Sequence, residues 1–313
     1  MKNYLLSFAL FLSVNYAQSA ILRCNNNPAV TGVYANAQAA HDAASPGDTI
    51  HLEPTALGSY GNLYVSKQIV LIGTGDFLSQ NQGIQSSSTP GYCDYISLNP
   101  GSAGSVISTK VVGSINISEN NISITHCHVN TISIININVS NIFVQNNVIS
   151  SSFNIYSVCS NLIVTNNFVK NINMYNAQSS ASISYNVMVT DWYTTLYNSS
   201  LFNNILIGGG GFPVTFTNCN LTDNIDQSYS LPGGNNNVNN VDMSTVFTHW
   251  GSFDGDNYQL LPGSPYQNAG MFAGPTPYKL ATTPAVPSIY HLAVPATSTG
   301  NNLNLNVSTR SNN

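Results

Sequence analysis

The amino-acid sequence predicts an all-β protein built as a parallel β-helix, and three observations support this fold class. A pattern recurs about every 20 residues between positions 121 and 225, a period that solenoid proteins use. Within each repeat, apolar residues alternate with polar ones, as Ile142 and Val144 do, and this alternation indicates strands. Only 6% of the 313 residues are charged, whereas 45 are Asn.

The repeat is clearest in residues 121–129, 141–149 and 161–169, which align at one constant offset. It continues with small slips at residues 182–188, 201–207 and 221–225. The second half of each repeat, such as residues 153–155, also alternates, and no repeat has the 3.6-residue period of a helix. We therefore expect two or three short strands per coil, stacked about 4.8 Å apart, in coils that are stable only together.

Asparagine has a structural place in this repeat. Five residues recur at spacings of 20, 19, 18 and 20, namely Asn147, Asn167, Asn186, Asn204 and Asn224. Cys127 lies one period before the first of them. Asn side chains stacked at an inward-facing turn can hydrogen-bond to one another and to the turn backbone. We expect these six residues to form a structural ladder and not a binding motif.

A leucine-rich-repeat solenoid is the alternative architecture. Residues 142–149 match its pattern L-x-L-x-x-N-x-L, in which Cys can replace Asn. The second half of such a repeat is usually rich in Leu and often helical, whereas here it contains Ile, Ser, Asn and Tyr in strand alternation. The β-helix is preferred, and a protein-binding solenoid of the leucine-rich-repeat kind stays as an alternative.

Residues 1–19 are typical of a secretory signal peptide. Lys2 precedes an apolar stretch from Leu5 to Val14, and Ala17 and Ser19 suit cleavage after Ser19. A membrane anchor needs about 20 apolar residues, more than this stretch provides. We therefore expect export to the cell surface or the medium, and no membrane span in the mature chain.

The charge content limits the partners. Seven Lys and Arg against 12 Asp and Glu give a net charge of −5. So few cations cannot neutralise a series of phosphates or hold the chain on an anionic membrane. A nucleic-acid partner is therefore not expected.

The two ends of the solenoid differ in composition from the coils. Six Ala residues between Tyr34 and Ala44 predict a short helix that ends at residues 45–47, Ser-Pro-Gly. Since an open solenoid end must be covered, we expect this helix to cap the N-terminal coil. Pro and Thr replace Asn from Met271 onward. The expected domains are therefore a β-helix over residues 20–275 and a strand pair or surface tail over residues 276–313.

Two segments near the N-terminus, AAHDAASPGDTIHLEP at residues 39–54 and LYVSKQIVLIGTG at residues 63–75, resemble the start of pectin-lyase-like β-helix proteins. Residues 257–265 and 268–270 are similar to the last coil of secreted bacterial members. The resemblance covers about residues 20–275. It implies a right-handed parallel β-helix and, for many members, cleavage of acidic polysaccharides by calcium-assisted β-elimination or by hydrolysis between clustered Asp residues.

The sequence departs from the catalytic members of that superfamily. Both chemistries need carboxylates or cations on one face, yet the only arginines are Arg23 and Arg310 and no two Asp are adjacent. We therefore predict a non-catalytic surface, structural or carbohydrate-binding protein. A polysaccharide lyase or glycoside hydrolase is the alternative. Its site would draw on Asp76, Asp94, Lys110, Asp223, Asp226, His249, Asp254 and Asp256.

An exposed aromatic column is the candidate carbohydrate-binding site. Tyr156 and Tyr175 are almost one period apart, and strand alternation directs both outward. The remaining candidates are Trp192 and Tyr193 near this column in the next coil, with Asn154 and Asn173 beside it. Aromatic faces can stack on sugar rings while amides hydrogen-bond to hydroxyls. A polysaccharide is thus the partner that the sequence suggests.

Metal binding has weaker support. Asp223, Asp226, Asp254 and Asp256 are candidates for Ca²⁺, but turn formation explains them equally well, and no other cofactor is expected. His126 and His128 would share one face of a strand and could bind zinc or copper. No third ligand is near in sequence, so we expect a structural role for both.

The sequence contains five cysteines, an odd number, so at least one of them is unpaired within the monomer. Whether Cys24 and Cys93 form a disulfide is left undecided by the sequence.

Overall fold

The computed structural model describes residues 19–75, 87, 89–135, 138–190, 194–208, 214–228, 231–251, 258–279, 288–293 and 305–310. This part of the chain is an all-β parallel solenoid of about eight turns, and about 4% of it is helical. The elements in chain order are β1 Ile21–Cys24, α1 Ala37–Ala43, β2 Thr49–Leu52, β3 Asn62–Val65, β4 Val70–Ile72, β5 Tyr92–Cys93, β6 Tyr95–Leu98, β7 Val106–Ser108, β8 Lys110–Ile117, β9 Ile122–Thr125, β10 His128–Ile134, β11 Val139–Gln145, β12 Val148–Ile155, β13 Cys159–Thr165, β14 Phe168–Met174, β15 Ala181–Ser184, β16 Val187–Thr190, β17 Thr194–Tyr197, β18 Ser200–Phe202, β19 Ile205–Gly208, β20 Val214–Thr217, β21 Asn220–Thr222, β22 Ile225–Asp226, a 3₁₀ turn Met243–Thr245, β23 Ser288–Ala293 and β24 Asn306–Arg310.

Two long parallel sheets run along the solenoid. The strand order is β1-β2-β4-β7-β9-β11-β13-β15-β18-β21 in the first sheet and β22-β19-β16-β14-β12-β10-β8-β6-β3 in the second, with β5 on β8. Neighbouring strands of a sheet belong to successive coils, so Ile122, Ile142 and Leu162 are register partners. One sequence repeat is thus one coil, and the prediction of an all-β parallel solenoid is confirmed.

The register of the second sheet shifts between Val129 and Thr131 in β10 and between Ile149 and Ser152 in β12, and a bulge of this kind bends the strand. The bend divides the second sheet into two faces. The face before the bend contains Val148 and its register partners, and the face after it leads to Tyr156.

The interior is filled by the inward residues of each strand. The inward residues of the first sheet include Ile124, Val144, Val164 and Ile183, and all of them are completely buried. Full burial of one such aliphatic side chain contributes about 1.5–3 kcal/mol. Because each coil shares these contacts with the coils above and below, the core depends on stacking rather than on any single coil.

A column of buried side chains lies at the turn between the two sheets, at the positions of the predicted ladder: Cys127, Asn147, Asn167, Asn186, Asn204 and Asn224. Each Asn Oδ1 accepts hydrogen bonds from the residue one coil earlier. The backbone N–H and Nδ2 of Asn167, for example, donate to Asn186 Oδ1 at 2.9 and 3.0 Å. Asn237 extends the column by accepting from Asn224 at 3.1 Å. The regular period misses Asn237 because this last step is 13 residues long.

The residue before each ladder position has a left-handed backbone, with φ between 54° and 56°. We call these residues the turn column: His126, Asn146, Asn166, Tyr185, Asn203 and Asp223. Left-handed geometry costs an ordinary residue about 1–2 kcal/mol, whereas Asn and Asp tolerate it. The turn column therefore accounts for the Asn-Asn pairs at residues 146–147, 166–167 and 203–204.

A second hydrophobic core lies on the outer side of the second sheet. Its outer column is Val148, Phe168, Val187, Ile205 and Ile225, which are register partners. They are buried because the chain after the last coil folds back over them with Val241, Met243, Val246, Phe247, Tyr258, Ala269, Met271 and Tyr278.

Residues 258–279, called the C-terminal strap, complete this outer layer. Asn166 Nδ2 donates to the carbonyls of Met271 at 3.0 Å and Ala273 at 2.7 Å. Gly270 N–H donates to the carbonyl of Asn203 at 2.9 Å. The last strand of the second sheet, β22, ends at Asp226, and the strap lies on the outer side of that sheet. A β-helix domain over residues 20–275 stays a prediction. The outward apolar column alternates as an ordinary strand does, so the pattern gives no sign of a covering layer.

Helix α1 lies within the segment that the sequence predicts to be helical. Asn36 begins it, since its side chain accepts a hydrogen bond from Ala39 N at 2.8 Å. Ala37 and Ala40 are completely buried against the first coils. Its role as a cap stays a prediction. None of the helices in the described ranges is long and apolar enough to cross a bilayer. Near the C-terminus, β23 pairs antiparallel with β24.

Candidate functional site

Tyr156 and Tyr175 form a stacked pair on the face after the bend. Their backbone N–H groups continue the parallel ladder by donating to Ile134 and Ile155 at 3.0 and 2.9 Å. The ring centroids are 4.7 Å apart and the planes differ by 10°, so the ring spacing follows the spacing of the coils. Half or more of each side chain is exposed, 50% for Tyr156 and 61% for Tyr175. Partial burial and the neighbouring Tyr156 raise the pKa of Tyr175.

The apolar column extends one coil beyond the pair. Ile135 occupies the corresponding position before Tyr156, since its N–H donates to Ile117 O at 3.1 Å, and its side chain is 44% exposed. Large apolar groups exposed in a row are unusual on a protein surface and point to an interaction. Ile135, Tyr156 and Tyr175 therefore occupy equivalent exposed positions in three successive coils.

Asn154 and Asn173 are register partners two residues before the tyrosines. Asn173 Nδ2 donates to Asn154 Oδ1 at 3.2 Å, and Asn154 Nδ2 donates to Ser152 Oγ at 2.8 Å. Both side chains are 8% exposed. The amides are thus largely occupied with each other, so the exposed surface of this site is mostly aromatic. Trp192 and Tyr193, the other two candidates, lie outside the described residues.

His126 and His128 do not share a strand face, contrary to the expectation from their spacing. His126 is in the left-handed turn, with φ 54°, and β10 begins only at His128. His128 Nε2 is 2.9 Å from Ser150 Oγ. Between them, Cys127 N–H donates to Asn147 Oδ1 at 2.8 Å, and burial raises the pKa of the Cys127 thiol to about 12. Alternation fails here because a turn residue interrupts the strand.

The Ca²⁺ candidates are not brought together by the described part of the chain. Asp223 is exposed, whereas Asp226 is 1% exposed and accepts a hydrogen bond from Ser228 Oγ at 3.0 Å. Asp254 and Asp256 lie outside the described residues. Within those residues, no three His, Cys, Asp or Glu side chains are grouped as a metal site would require. The five cysteines, Cys24 and Cys93 included, are thiols.

A groove of about 530 Å³ lies between the turn column and the C-terminal strap. The turn column contributes Tyr185, Asn203 and Asp223, and the strap contributes Tyr266 and Asn268. Of the residues considered for a lyase or hydrolase, Asp223 is among the described residues that line the groove. Asp94, Lys110, Asp226 and His249 are described elsewhere, and Asp76 lies outside the described ranges.

Sequence reasoning missed the groove, although the sequence contains a sign of it. At the turn column, Tyr185 and Asp223 stand where three other coils have Asn, at residues 146, 166 and 203, while His126 departs from Asn in an earlier coil. Tyr185 is an unusual choice for a left-handed turn, because a bulky side chain is disfavoured there. A departure from the repeat at two nearby positions marks these coils as different from the others.

Comparison of the chain with protein-family models, with curated proteins and with solved structures found no match.

Proposed function

We propose that this protein is an exported, non-catalytic β-solenoid that binds carbohydrate through the stacked Tyr156–Tyr175 pair. The observation that supports the proposal is the geometry of the pair, two nearly parallel rings 4.7 Å apart, each at least half exposed. One face of each ring is covered by the other ring, and both residues are still at least half exposed. Such an array offers apolar ring surface beside phenolic hydroxyls, which suits sugar rings.

The rigidity of the pair favours binding. Both tyrosines directly follow paired strands, β12 and β14, whose inward residues Ile155 and Met174 are buried in the core. The rings are held at the coil spacing before any ligand arrives, so binding them in this arrangement costs little conformational entropy. A linear glycan has repeated units, and a repeated aromatic array along the solenoid can contact several of them.

The scarcity of charge supports a non-catalytic role. Across residues 95–190 the charged side chains are Lys110, Glu119 and Lys170. Acid–base cleavage of a glycosidic bond uses paired carboxylates, or a carboxylate-bound cation with a base, close to one another. Three separated charges on the coils favour binding over turnover.

The proposal also includes the compartment and the fold family. Lys2, the apolar stretch to Val14 and the small residues before Ala20 support export through a signal peptide. The resemblance of residues 39–54 and 63–75 to pectin-lyase-like proteins supports a right-handed coil with α1 as its N-terminal cap. A polysaccharide outside the cell is then the natural ligand.

The test is a double substitution, Tyr156→Ser with Tyr175→Ser, measured by affinity electrophoresis and calorimetry against neutral and acidic polysaccharides. Loss of about 1 kcal/mol or more of ring contact should weaken binding at least fivefold. Tyr64→Ser is the matched control, because Tyr64 is also 50% exposed on a strand of the second sheet. Undiminished affinity in the double variant, or release of shorter glycans by the unaltered protein, would contradict the proposal.

A further inference from the structure

We propose that the groove between the turn column and the C-terminal strap is a second ligand site, which takes an uncharged oligosaccharide. It is separate from the tyrosine pair, and the inference does not depend on that pair. The groove volume of about 530 Å³ lies within the range of about 300–1,000 Å³ typical of ligand pockets.

The groove lies at the position where the side chains of the turn column no longer bind the strap. At Asn166 the column amide donates to the strap carbonyls of Met271 and Ala273. At Tyr185 the ring packs against Gly274, where a Cβ would come within 2.9–3.0 Å of ring carbons. At Asn203 the strap is held by a backbone bond alone, from Gly270 N–H at 2.9 Å. The Asn203 side chain is therefore left to the groove.

The polar groups of the groove lack partners within the described residues. The amides of Asn203 and Asn268 and the hydroxyls of Tyr185 and Tyr266 have no hydrogen bond to any of them. Asp223 Oδ1 accepts from Asn236 Nδ2 at 3.0 Å, and its other oxygen is likewise unbonded. Five polar side chains that line one groove thus keep unused hydrogen-bonding capacity.

Equivalent Asn residues elsewhere in the solenoid are bonded to one another. On the first sheet, Asn141 Nδ2 donates to Asn121 Oδ1 at 2.8 Å, and Asn161 Nδ2 donates to Asn141 Oδ1 at 2.6 Å. These exposed residues also have left-handed backbones, with φ from 51° to 58°. Asn–Asn pairing is thus available to an Asn column in this solenoid. It does not occur in the turn column, where the Asn166 side chain binds the strap instead and the Asn203 side chain has no hydrogen bond within the described residues.

The chemistry of the lining selects the ligand. Amides and phenols both donate and accept hydrogen bonds, as sugar hydroxyls do. Among the described lining residues there is no Lys, Arg or His, and Asp223 is the one charged side chain. A uronic acid would place a second carboxylate near Asp223 without a cation to offset the repulsion. Tyr185 and Tyr266 supply apolar surface for the faces of the sugar rings. An uncharged oligosaccharide satisfies all of these groups.

The experiment is carried out on the full chain bearing Tyr156→Ser and Tyr175→Ser, so that binding at the tyrosine pair does not contribute. Calorimetry measures its affinity for tetrasaccharides of glucose, of N-acetylglucosamine and of galacturonic acid. We expect it to bind at least one neutral tetrasaccharide, and galacturonic acid tetrasaccharide at least tenfold more weakly. Tyr185→Phe and Asn268→Ala should each weaken neutral binding about three- to tenfold, the effect of one lost hydrogen bond. Tyr64→Phe is the matched control for the hydroxyl and should change nothing.

Asp223→Asn separates charge from shape, because Asn keeps the left-handed turn. In this variant, the affinity for galacturonic acid tetrasaccharide should come within about threefold of the affinity for the neutral tetrasaccharide. The proposal is overturned if the background variant binds no neutral tetrasaccharide, if the groove substitutions leave its binding unchanged, or if it prefers galacturonic acid. A background variant that loses all the binding seen in the unaltered protein would overturn the groove site and leave the tyrosine-pair function standing. If the background variant binds as strongly as the unaltered protein, the tyrosine-pair function is overturned and the groove site stands.

Discussion

Replacing Asn186 by Ala tests whether the buried ladder holds the coils together. Asn186 is completely buried, and its Oδ1 is the hydrogen-bond acceptor for the Asn167 backbone N–H at 2.9 Å. Its Nδ2 donates to Val164 O at 3.0 Å, Ser184 O at 2.9 Å and Asn204 Oδ1 at 3.0 Å. Alanine at this position would leave the Asn167 N–H buried without an acceptor.

The expected loss of unfolding free energy is about 3–7 kcal/mol. An unsatisfied buried N–H costs about 1–3 kcal/mol, and each further lost hydrogen bond about 0.5–1.5 kcal/mol. Equilibrium unfolding in urea, followed by circular dichroism, gives the difference from the midpoint and slope. Asn130→Ala is the matched control, because Asn130 is exposed on β10 and its side chain has no hydrogen bond to the described residues. The control should lose less than about 0.5 kcal/mol. Equal losses in the two variants would refute the view that the ladder is a main source of stability.

Two further predictions concern the residues next to each other at the start of the ladder. Cys127→Asn should stabilise the protein by about 1 kcal/mol. The thiol contacts Thr109 N at 3.5 Å and Ile107 O at 3.3 Å, and an amide would form stronger hydrogen bonds to both. A lower urea midpoint of the variant would contradict this prediction. Burial, with a smaller contribution from Lys279, lowers the pKa of His126, so the unfolded chain binds the proton more tightly. Stability should then fall as the pH drops through about 6.5, the unfolded value. His126→Asn, which keeps the turn, should reduce the loss of urea midpoint between about pH 7.5 and 5.5, and an unchanged loss would count against the assignment.

Much of the coil geometry follows from local pattern. The alternation at Ile142 and Val144 places both side chains in the interior, and the recurrence of Asn at 147, 167 and 186 places them in one column. Both results depend on residues one coil apart, which the period makes into neighbours. Alternation also places Tyr156 and Tyr175 outside, with Ile155 and Met174 inside.

The sites depend on contacts that the period does not encode. The spacing of His126 and His128 suggests a shared face, but a left-handed turn at His126 separates them. Asn154 and Asn173 are candidates for hydrogen bonds to sugar hydroxyls beside the aromatic column, yet they are hydrogen-bonded to each other and nearly buried. Alternation predicts on which side of a strand a residue lies. It does not predict which neighbouring side chains will hydrogen-bond to that residue or bury it.

By itself, the sequence determined the parallel solenoid and the positions of its ladder, because similar coils stacked in register repeat their contacts at the repeat length. Only the tertiary structure decided that Val148, Phe168 and Val187 form a second core under the C-terminal strap. An outward apolar residue has the same alternation whether water or another segment covers it. The strap contacts residues that are more than 100 positions away in the sequence, such as Asn166. A local sequence pattern cannot predict contacts over such a separation. The groove at Asn203 arises from this long-range packing. Tyr185 and Asp223 distinguish its coils in the sequence, but only the folded chain shows that the strap lies opposite them.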